Sequence, residues 1–318
     1  MKNSQKRKQL LLVFFSLTFS ALGFFKEIKV ITYSSLLSKG GYGEWLQEEF
    51  SKNTQKKDSL KFQSSKDFSG VLGELRRLKR QNKLNTIDVV MGLNSYNYQQ
   101  ALSESLILPG KAFEKGSYAI LVNTQMLEEK NWPKSWKELA TQFQKKILVQ
   151  DPRSSEVGLS WLFNSKVLGN LSFEDSKKLP AKFFPSWSSS FNAFENKAAP
   201  LLWTYSTSAA YFECNPGDQK NTYKNLPLDN YPEDKNYIAL VANKSHQSDN
   251  AKSFINFVMS EKAQSALPLK NWMLPAENVQ IPECFKVAKI KNTKDIKEHS
   301  HSPIDKAQLQ KWLDEWSL

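Results

Sequence analysis

The sequence predicts an α/β protein of two lobes, each a mainly parallel sheet flanked by helices, with a ligand cleft between the lobes. Three observations lead to this prediction. Short apolar runs alternate with amphipathic stretches, the alternation restarts at the run 116–123, and hydroxyl and aromatic residues gather just past the apolar runs. Strands that alternate with helices are typical of parallel sheets covered by helices. A chain of 318 residues is long enough for two ordinary domains.

The first part of the alternation lies between residues 29 and 93. Its predicted strands are KVITY (29–33), SLKFQ (59–63) and TIDVVMGL (86–93). The stretch GEWLQEEFSK (43–52) predicts one helix. A second helix is predicted from the apolar stripe Phe68, Val71, Leu72, Leu75 and Leu78, whose spacing places one face of a helix against a core.

The second part repeats this pattern with new segments. The predicted strands are GSYAILVN (116–123), KKILVQD (145–151), APLLWTY (199–205) and YIALVAN (237–243). Helices are predicted at 135–143, at 152–165, at 250–260 and in the last fourteen residues, where Leu309, Trp312, Leu313 and Trp316 share one face. The polar stretches 213–236 and 287–303 are predicted as loops or linkers.

The N-terminal residues indicate an exported protein. Four basic residues without an acid precede a mostly apolar run of about sixteen residues, shorter than the roughly 20 that cross a bilayer. Ala21 and Gly23 fit a cleavage site, so residues 1–23 are predicted to be a signal peptide. An uncleaved anchor is the alternative. Either way, the folded part is expected in the periplasm.

Charge and rare residues exclude several kinds of site. Removing four basic residues from a net charge of +12 leaves +8, and the lysines are spread along the chain, so no nucleic-acid partner is expected. The three histidines lie in polar stretches without metal-ligand spacing, which argues against a catalytic or metal site and against a cofactor. The two cysteines, Cys214 and Cys284, permit one disulfide, but the sequence leaves the pairing open.

The residues that follow the predicted strands look like a binding site, because they include hydroxyls, aromatics and a few carboxylates but no paired general acid and base. In open α/β sheets, ligands bind at the carboxyl ends of the strands. The stretches SSEVGL (154–159) and STSAAY (206–211) each predict a helix N-cap. If both helix ends met in one cleft, they would favour an anionic group. Trp187, Tyr205 and Trp272 could stack on a planar or cationic ligand.

These residues carry a family resemblance. The segments QDPRSSEVGL, WTYSTSAAY and LPLKNWMLPAENVQIPECF, in this order and spacing, resemble the periplasmic thiamine-binding proteins of thiamine ABC importers, which have the type II periplasmic binding-protein fold. The resemblance covers nearly the whole mature chain. It implies a first lobe of residues 27–117 plus 238–285 and a second lobe of residues 118–237 plus 286–318.

The resemblance also implies a site, a mechanism and partners. The ligand-binding residues would be Asp67, Phe68, Ser155, Glu156, Trp187, Tyr205, Ser206, Thr207, Ser208 and Trp272. Aromatic rings would enclose the rings of thiamine or a thiamine phosphate, and the hydroxyl-rich helix ends would hold its hydroxyethyl or phosphate end. The loaded monomer would deliver its ligand to an ABC transporter permease in the inner membrane.

Two alternatives stay open. Members of the family often carry aspartate where this chain has Ser34 and Asn94, so the ligand could instead be another small cation, ferric ion or a phosphorylated metabolite. The absence of a Tyr-Tyr pair argues against iron. A secreted hydrolase would need a GxSxG elbow or a base near a serine, and the sequence shows neither.

Overall fold

The computed structural model describes residues 26–55, 57–65, 70–168, 170–215, 217, 221–229, 231–242, 249–290, 294–295 and 306–317. The predicted signal peptide lies outside this part of the chain. Among the described residues, no helix is both long enough and apolar enough to cross a membrane.

The first lobe is built on three parallel strands, in the order β2-β1-β3. These strands are β1 (Lys26–Thr32), β2 (Asp58–Ser64) and β3 (Val89–Asn94). Its helices are α1 (Tyr42–Asn53), α2 (Gly70–Arg80) and α3 (Ser95–Ser103). Two short 3-10 helices, Ser34–Leu37 and Leu84–Thr86, complete this part of the chain.

The second lobe repeats the arrangement with three further parallel strands, in the order β7-β5-β6. These are β5 (Ile147–Gln150), β6 (Pro180–Phe184) and β7 (Leu201–Tyr205). Its helices are α4 (Trp136–Gln142), α5 (Glu156–Phe163), which continues as a π-helical turn at Asn164–Leu168, α6 (Phe173–Lys178), α7 (Trp187–Glu195) and α8 (Thr207–Cys214). A 3-10 turn, Glu129–Asn131, precedes α4.

Two long antiparallel strands join the lobes, and we call them the linking strands: β4 (Lys111–Asn123) and β9 (Pro232–Leu240). Residues 111–117 of β4 pair with β9, whereas residues 118–122 pair with β7. β9 also pairs with β3 of the first lobe. The short strands β8 (Tyr223–Asn225) and β10 (Leu274–Pro275) pair with β4, and β11 (Lys294–Asp295) pairs with β9.

The chain returns to the first lobe after β9 and then crosses again. Helices α9 (Asp249–Val258) and α10 (Glu261–Asn271) pack against α1 of the first lobe. After β10, the 3-10 helix Glu283–Ala288 packs against α8 of the second lobe, and the last described element is α11 (Lys306–Ser317). The chain therefore crosses between the lobes three times.

Each lobe has its own apolar core. In the first lobe, Phe50 of α1 packs against Phe254 and Phe257 of α9 under the sheet. In the second lobe, Trp161 and Trp203 are fully buried and pack edge to face with ring centroids 5.4 Å apart. Burial of aromatic side chains of this size contributes a large share of the free energy of folding.

The predicted fold class is confirmed. The structure adds elements that were not predicted, namely β6 and helices α3, α6 and α7. Other differences lie where strands are polar or where a helix contains proline. β4 begins five residues before its predicted start, and β9 begins within the segment predicted as a loop. Helix α10 was not predicted because it contains Pro268, a residue that disfavours helix interiors. The disulfide that the sequence left open is present between Cys214 and Cys284.

Candidate ligand-binding cleft

A cleft of about 1010 Å³ lies between the lobes, at the carboxyl ends of their parallel strands. Its described lining contains aromatic rings, hydroxyl groups and carboxylates from both lobes. The lining residues that the following paragraphs use are Tyr33, Gly92, Glu114, Ser155, Glu156, Trp187, Phe191, Tyr205, Thr207, Ser208, Tyr211, Asn236, Lys270, Asn271 and Trp272. A cavity of this size suits a small organic molecule.

Glu114 lines the cleft and belongs to the linking strand β4. Its side chain is fully buried. Three donors reach it: the Tyr33 hydroxyl at 2.9 Å and the Asn236 amide at 2.7 Å on Oε1, and the Asn271 amide at 2.6 Å on Oε2. These donors are neutral, so in the part of the chain that the structure describes the carboxylate is hydrogen-bonded by three groups, none of which is a cation.

The buried carboxyl of Glu114 is costly to ionise without a cation nearby. Burial raises its pKa from the usual 4.5 to about 7, although the hydrogen bonds from Asn236, Tyr33 and Asn271 oppose this rise. A cation beside the carboxylate would remove most of this cost by favouring the ionised form. Glu114 is therefore a candidate partner for a cationic ligand.

Tyr33 reaches Glu114 because of the glycine on the neighbouring strand. Gly92 of β3 has a φ of +95°, and a Cβ at this position would come within 2.3 Å of the Tyr33 ring. Glycine is thus required here by both the backbone conformation and the close approach of the ring. Asn271 holds Tyr33 from the other side by donating to its hydroxyl oxygen at 2.8 Å.

A second carboxylate, Glu156, lies at the first position of α5 in the second lobe. The Asn97 amide of α3, in the first lobe, donates to it, so this hydrogen bond joins the two lobes. Burial and the charge of Asp234 raise the pKa of Glu156 to about 8, and the bond from Asn97 opposes the rise. The side chain is nevertheless partly accessible from the cleft.

Aromatic rings form the second lobe's wall. Tyr205, at the end of β7, stacks on Tyr118 with ring centroids 4.8 Å apart. Trp187 donates its indole N–H to Thr204 Oγ1 at 2.8 Å and stacks on Phe191 at 4.6 Å. Both Trp187 and Tyr205 are partly exposed to the cleft. Fixed, partly exposed rings of this kind can stack on a planar ligand or contact a cation.

Trp272 also lines the cleft, and it lies just before β10, after which the chain crosses between the lobes for the third time. It ends α10 in the left-handed conformation, with a φ of 56°. Its ring stacks on Phe285 at 6.1 Å and meets Tyr211 edge to face at 5.0 Å. The disulfide between Cys214 and Cys284 ties the segments that carry these two partners. Trp272 is thus held in place by a covalently braced cluster.

The two predicted helix caps have different outcomes. Ser155 Oγ accepts the Gly158 N–H at 3.4 Å, which confirms it as the cap of α5. The prediction that the Ser206 side chain caps α8 is wrong, because Ser206 already has helical backbone angles and its hydroxyl makes no cap bond. Ser208 Oγ is instead engaged with Thr204 Oγ1 at 2.9 Å.

The structure brings most of the predicted site residues together. Seven of them line the cleft: Ser155, Glu156, Trp187, Tyr205, Thr207, Ser208 and Trp272. Ser206 does not, since its side chain is completely buried beneath the cleft wall. Asp67 and Phe68 lie outside the described residues. The sequence reasoning missed Tyr33, Glu114, Asn236 and Asn271. An acidic residue just before the apolar run of β4 was the one available indication.

The described residues contain no group of three or more His, Cys, Asp or Glu side chains that could hold a metal ion. The cleft thus combines stacked aromatic rings with buried carboxylates, an arrangement that binds small organic cations. This geometry and the two-lobed fold are those of a protein that binds a small solute between its lobes.

The comparison with known families agrees. Residues 37–268 match the family described as bacterial extracellular solute-binding protein, and the chain belongs to this family. Members of this family bind solutes, so the chain is a binding protein and not an enzyme.

Individual relatives narrow the comparison. The chain is 29% identical over 313 residues to the thiamine-binding periplasmic protein of Salmonella typhimurium, covering 91% of this chain and 92% of the relative. A solved structure of a periplasmic thiamin binding protein superposes with a TM-score of 0.75 at 26% identity, covering 91% and 95% of the two chains. The ferric binding protein from Campylobacter jejuni shares the fold, with a TM-score of 0.70 at 15% identity and coverage of 91% and 98%.

Proposed function

We propose that this chain is a periplasmic receptor that captures thiamine, or one of its phosphates, in the interlobe cleft and serves an ABC importer. Thiamine joins an aminopyrimidine ring to a positively charged thiazolium ring, so its receptor needs flat aromatic surfaces and a negative group. The observation that carries the proposal is that Glu114 and the rings of Tyr205 and Trp272 line one cleft. The thiamine-binding relatives support the same ligand.

The proposed ligand contacts follow from this geometry. Trp187, Tyr205 and Trp272 would stack on the rings, and Glu114 would face the positive charge. A cation over the face of a tryptophan or tyrosine gains about 0.5–2 kcal/mol. Ser155, Thr207 and Ser208 would contact the hydroxyethyl end, and Asp67 and Phe68 stay proposed contacts from the family resemblance. Ser206, being buried, would support the wall from behind.

Closure of the two lobes around the ligand would signal the loaded state to a permease, and we propose that the receptor acts as a monomer. The proposed first lobe boundary at residues 117 and 118 is supported by the change of partner of β4 from β9 to β7. Because Glu283–Ala288 packs on α8, we place the last boundary before this segment rather than at residue 285.

Calorimetric titration of the mature protein with thiamine, thiamine monophosphate and thiamine diphosphate tests the proposal. We expect at least one of them to bind with a Kd in the micromolar range or tighter, about −8 kcal/mol or better. Pyrimidine and thiazole fragments, each lacking half of the ligand, serve as controls and should bind much more weakly. If no form binds more tightly than about 1 mM, the proposal is refuted.

A further inference from the structure

We infer that the ionised carboxylate of Glu156 makes this cleft prefer unphosphorylated thiamine over thiamine phosphates. The inference rests on the proposed function and assigns a role to one residue within it. The N-terminus of α5 is one of the two helix ends that the sequence predicts as a place for an anionic group. Such helix ends favour anions because of their free N–H groups and the helix dipole.

In this chain, the N-terminus of α5 already has an anionic side chain of its own. Ser155 caps the helix and receives the Gly158 N–H, and Glu156 follows as the first helical residue. The Glu156 carboxyl lines the cleft and is held by the Asn97 amide from the opposite lobe. A phosphate at this end would therefore meet a carboxylate at short range in a poorly solvated place, where like charges repel strongly.

The groups around Glu156 do not offset this repulsion. Asp234 of β9 adds a second negative charge on the same side, and it contributes to the raised pKa of Glu156. Tyr118 of β4 and Tyr205 of β7 also face the carboxyl, but burial raises the pKa of both phenols, so they stay neutral. Asn97 of α3 is a neutral donor.

The described lining supplies little positive charge to a phosphate. Lys270 is the single basic residue among the described residues that line the cleft, and its Nζ donates to the Gly40 carbonyl at 3.3 Å. Arg153, three residues before Glu156, is paired with Asp151 and does not line the cleft. Receptors for phosphates normally supply arginine or lysine to the anion. The hydroxyethyl group of thiamine, in contrast, can donate a hydrogen bond to the Glu156 carboxylate.

The test compares thiamine with thiamine monophosphate by calorimetry at pH 8.5, above the pKa of Glu156 of about 8. We expect the unmodified protein to bind thiamine at least tenfold more tightly than the monophosphate. Glu156→Gln keeps an oxygen for the Asn97 amide but loses the charge, and it should reduce this preference at least fivefold by improving monophosphate binding. Glu156→Asp keeps the charge and should retain the preference even where the contact with Asn97 is lost.

A matched control is Glu174→Gln, which removes a carboxylate from the first turn of α6 in the same lobe, where the side chain is 72% exposed. It should leave the preference unchanged. Equal affinities of the unmodified protein for both ligands would overturn the inference and leave thiamine binding intact. So would a Glu156→Gln variant with an unchanged preference. Binding of the monophosphate without binding of thiamine would also overturn the inference and leave the proposed function intact. If neither thiamine nor its phosphates bind the unmodified protein, the proposed function fails.

Discussion

Replacing Glu114 with glutamine puts a permanently neutral side chain of similar shape in place of a buried acid. The difference in stability between the two proteins, followed with pH, then measures the free-energy cost of ionising Glu114. In the folded protein, burial raises the pKa of Glu114 to about 7, compared with a usual value of 4.5. Each pKa unit corresponds to 1.36 kcal/mol, so the difference amounts to about 3 kcal/mol. The side chain is fully buried, and solvent therefore screens little of this energy.

The sign follows from proton linkage. Below pH 4.5 the carboxyl is protonated in both the folded and the unfolded chain, and it has no effect on the pH dependence of stability. Between about pH 4.5 and 7 the unfolded chain releases its proton first, so the free energy of unfolding falls as pH rises. Above the folded pKa of about 7 the loss is complete. Glu114→Gln has no proton to release and escapes this loss.

Urea denaturation of the ligand-free protein at pH 5 and pH 8.5 measures the effect. From pH 5 to pH 8.5, the free energy of unfolding of Glu114→Gln should rise by about 2–3 kcal/mol relative to that of the unmodified protein. In the variant an amide NH₂ replaces the oxygen that accepts from Asn271, and the contribution of this amide to stability is the same at both pH values because it does not titrate. Glu156 titrates in both proteins, so the comparison cancels its contribution.

Added thiamine should shift the difference in stability between the two proteins in favour of the unmodified protein. The ligand's positive charge favours ionised Glu114, so thiamine stabilises the unmodified protein more than Glu114→Gln at pH 8.5. The exposed substitution Glu174→Gln is the control and should follow the unmodified protein at both pH values. Parallel pH dependences for the unmodified protein and Glu114→Gln would show that the buried carboxyl does not carry the cost we assign to it.

Two further predictions concern the wall of the cleft. Trp272→Ala should weaken thiamine binding about tenfold, or roughly 1.4 kcal/mol, by calorimetry, whereas Trp272→Phe retains a ring and most of the affinity; equal affinities for all three proteins would remove Trp272 from the site. Joint replacement of Cys214 and Cys284 by serine should lower the free energy of unfolding by about 4 kcal/mol, because the bond closes a loop of 70 residues. It should also weaken thiamine binding, since the bond braces Phe285 and Tyr211 around Trp272; unchanged affinity would show that the cluster keeps its shape without it.

The regular parts of the fold were predictable because their residues alternate or repeat with clear periods. The strand VVMGLN of β3 is buried along its whole length, and α2 buries Val71, Leu72, Leu75 and Leu78 on one face. Such patterns depend on local sequence alone. The Ser155 cap was equally local, because a serine before an apolar helix can satisfy an N–H three residues later.

The centre of the cleft was harder to predict because its polar residues lie in strands. Glu114, Asp234 and Asn236 are all buried, yet in the sequence they make the ends of β4 and β9 look like solvent-exposed loop. Their burial depends on the pairing of two strands more than a hundred residues apart, which no local pattern reveals. Trp272 was predicted as a site residue together with residues that follow strands. It lines the cleft, but it ends helix α10 and does not follow a strand.

The same location explains why the missed residues matter most for function. Glu114 lies in β4 and Asn236 in β9, the two strands that join the lobes, while Tyr33 and Asn271 belong to the first lobe. A change in the charge of Glu114 thus alters a hydrogen-bonded group that includes both linking strands. When a cation enters and favours the ionised carboxylate, all three donors bond more strongly to it. On the proposed function, the charge of the ligand would therefore be coupled through these hydrogen bonds to the strands about which the lobes would close, whereas Tyr205 contacts β4 only by stacking on Tyr118.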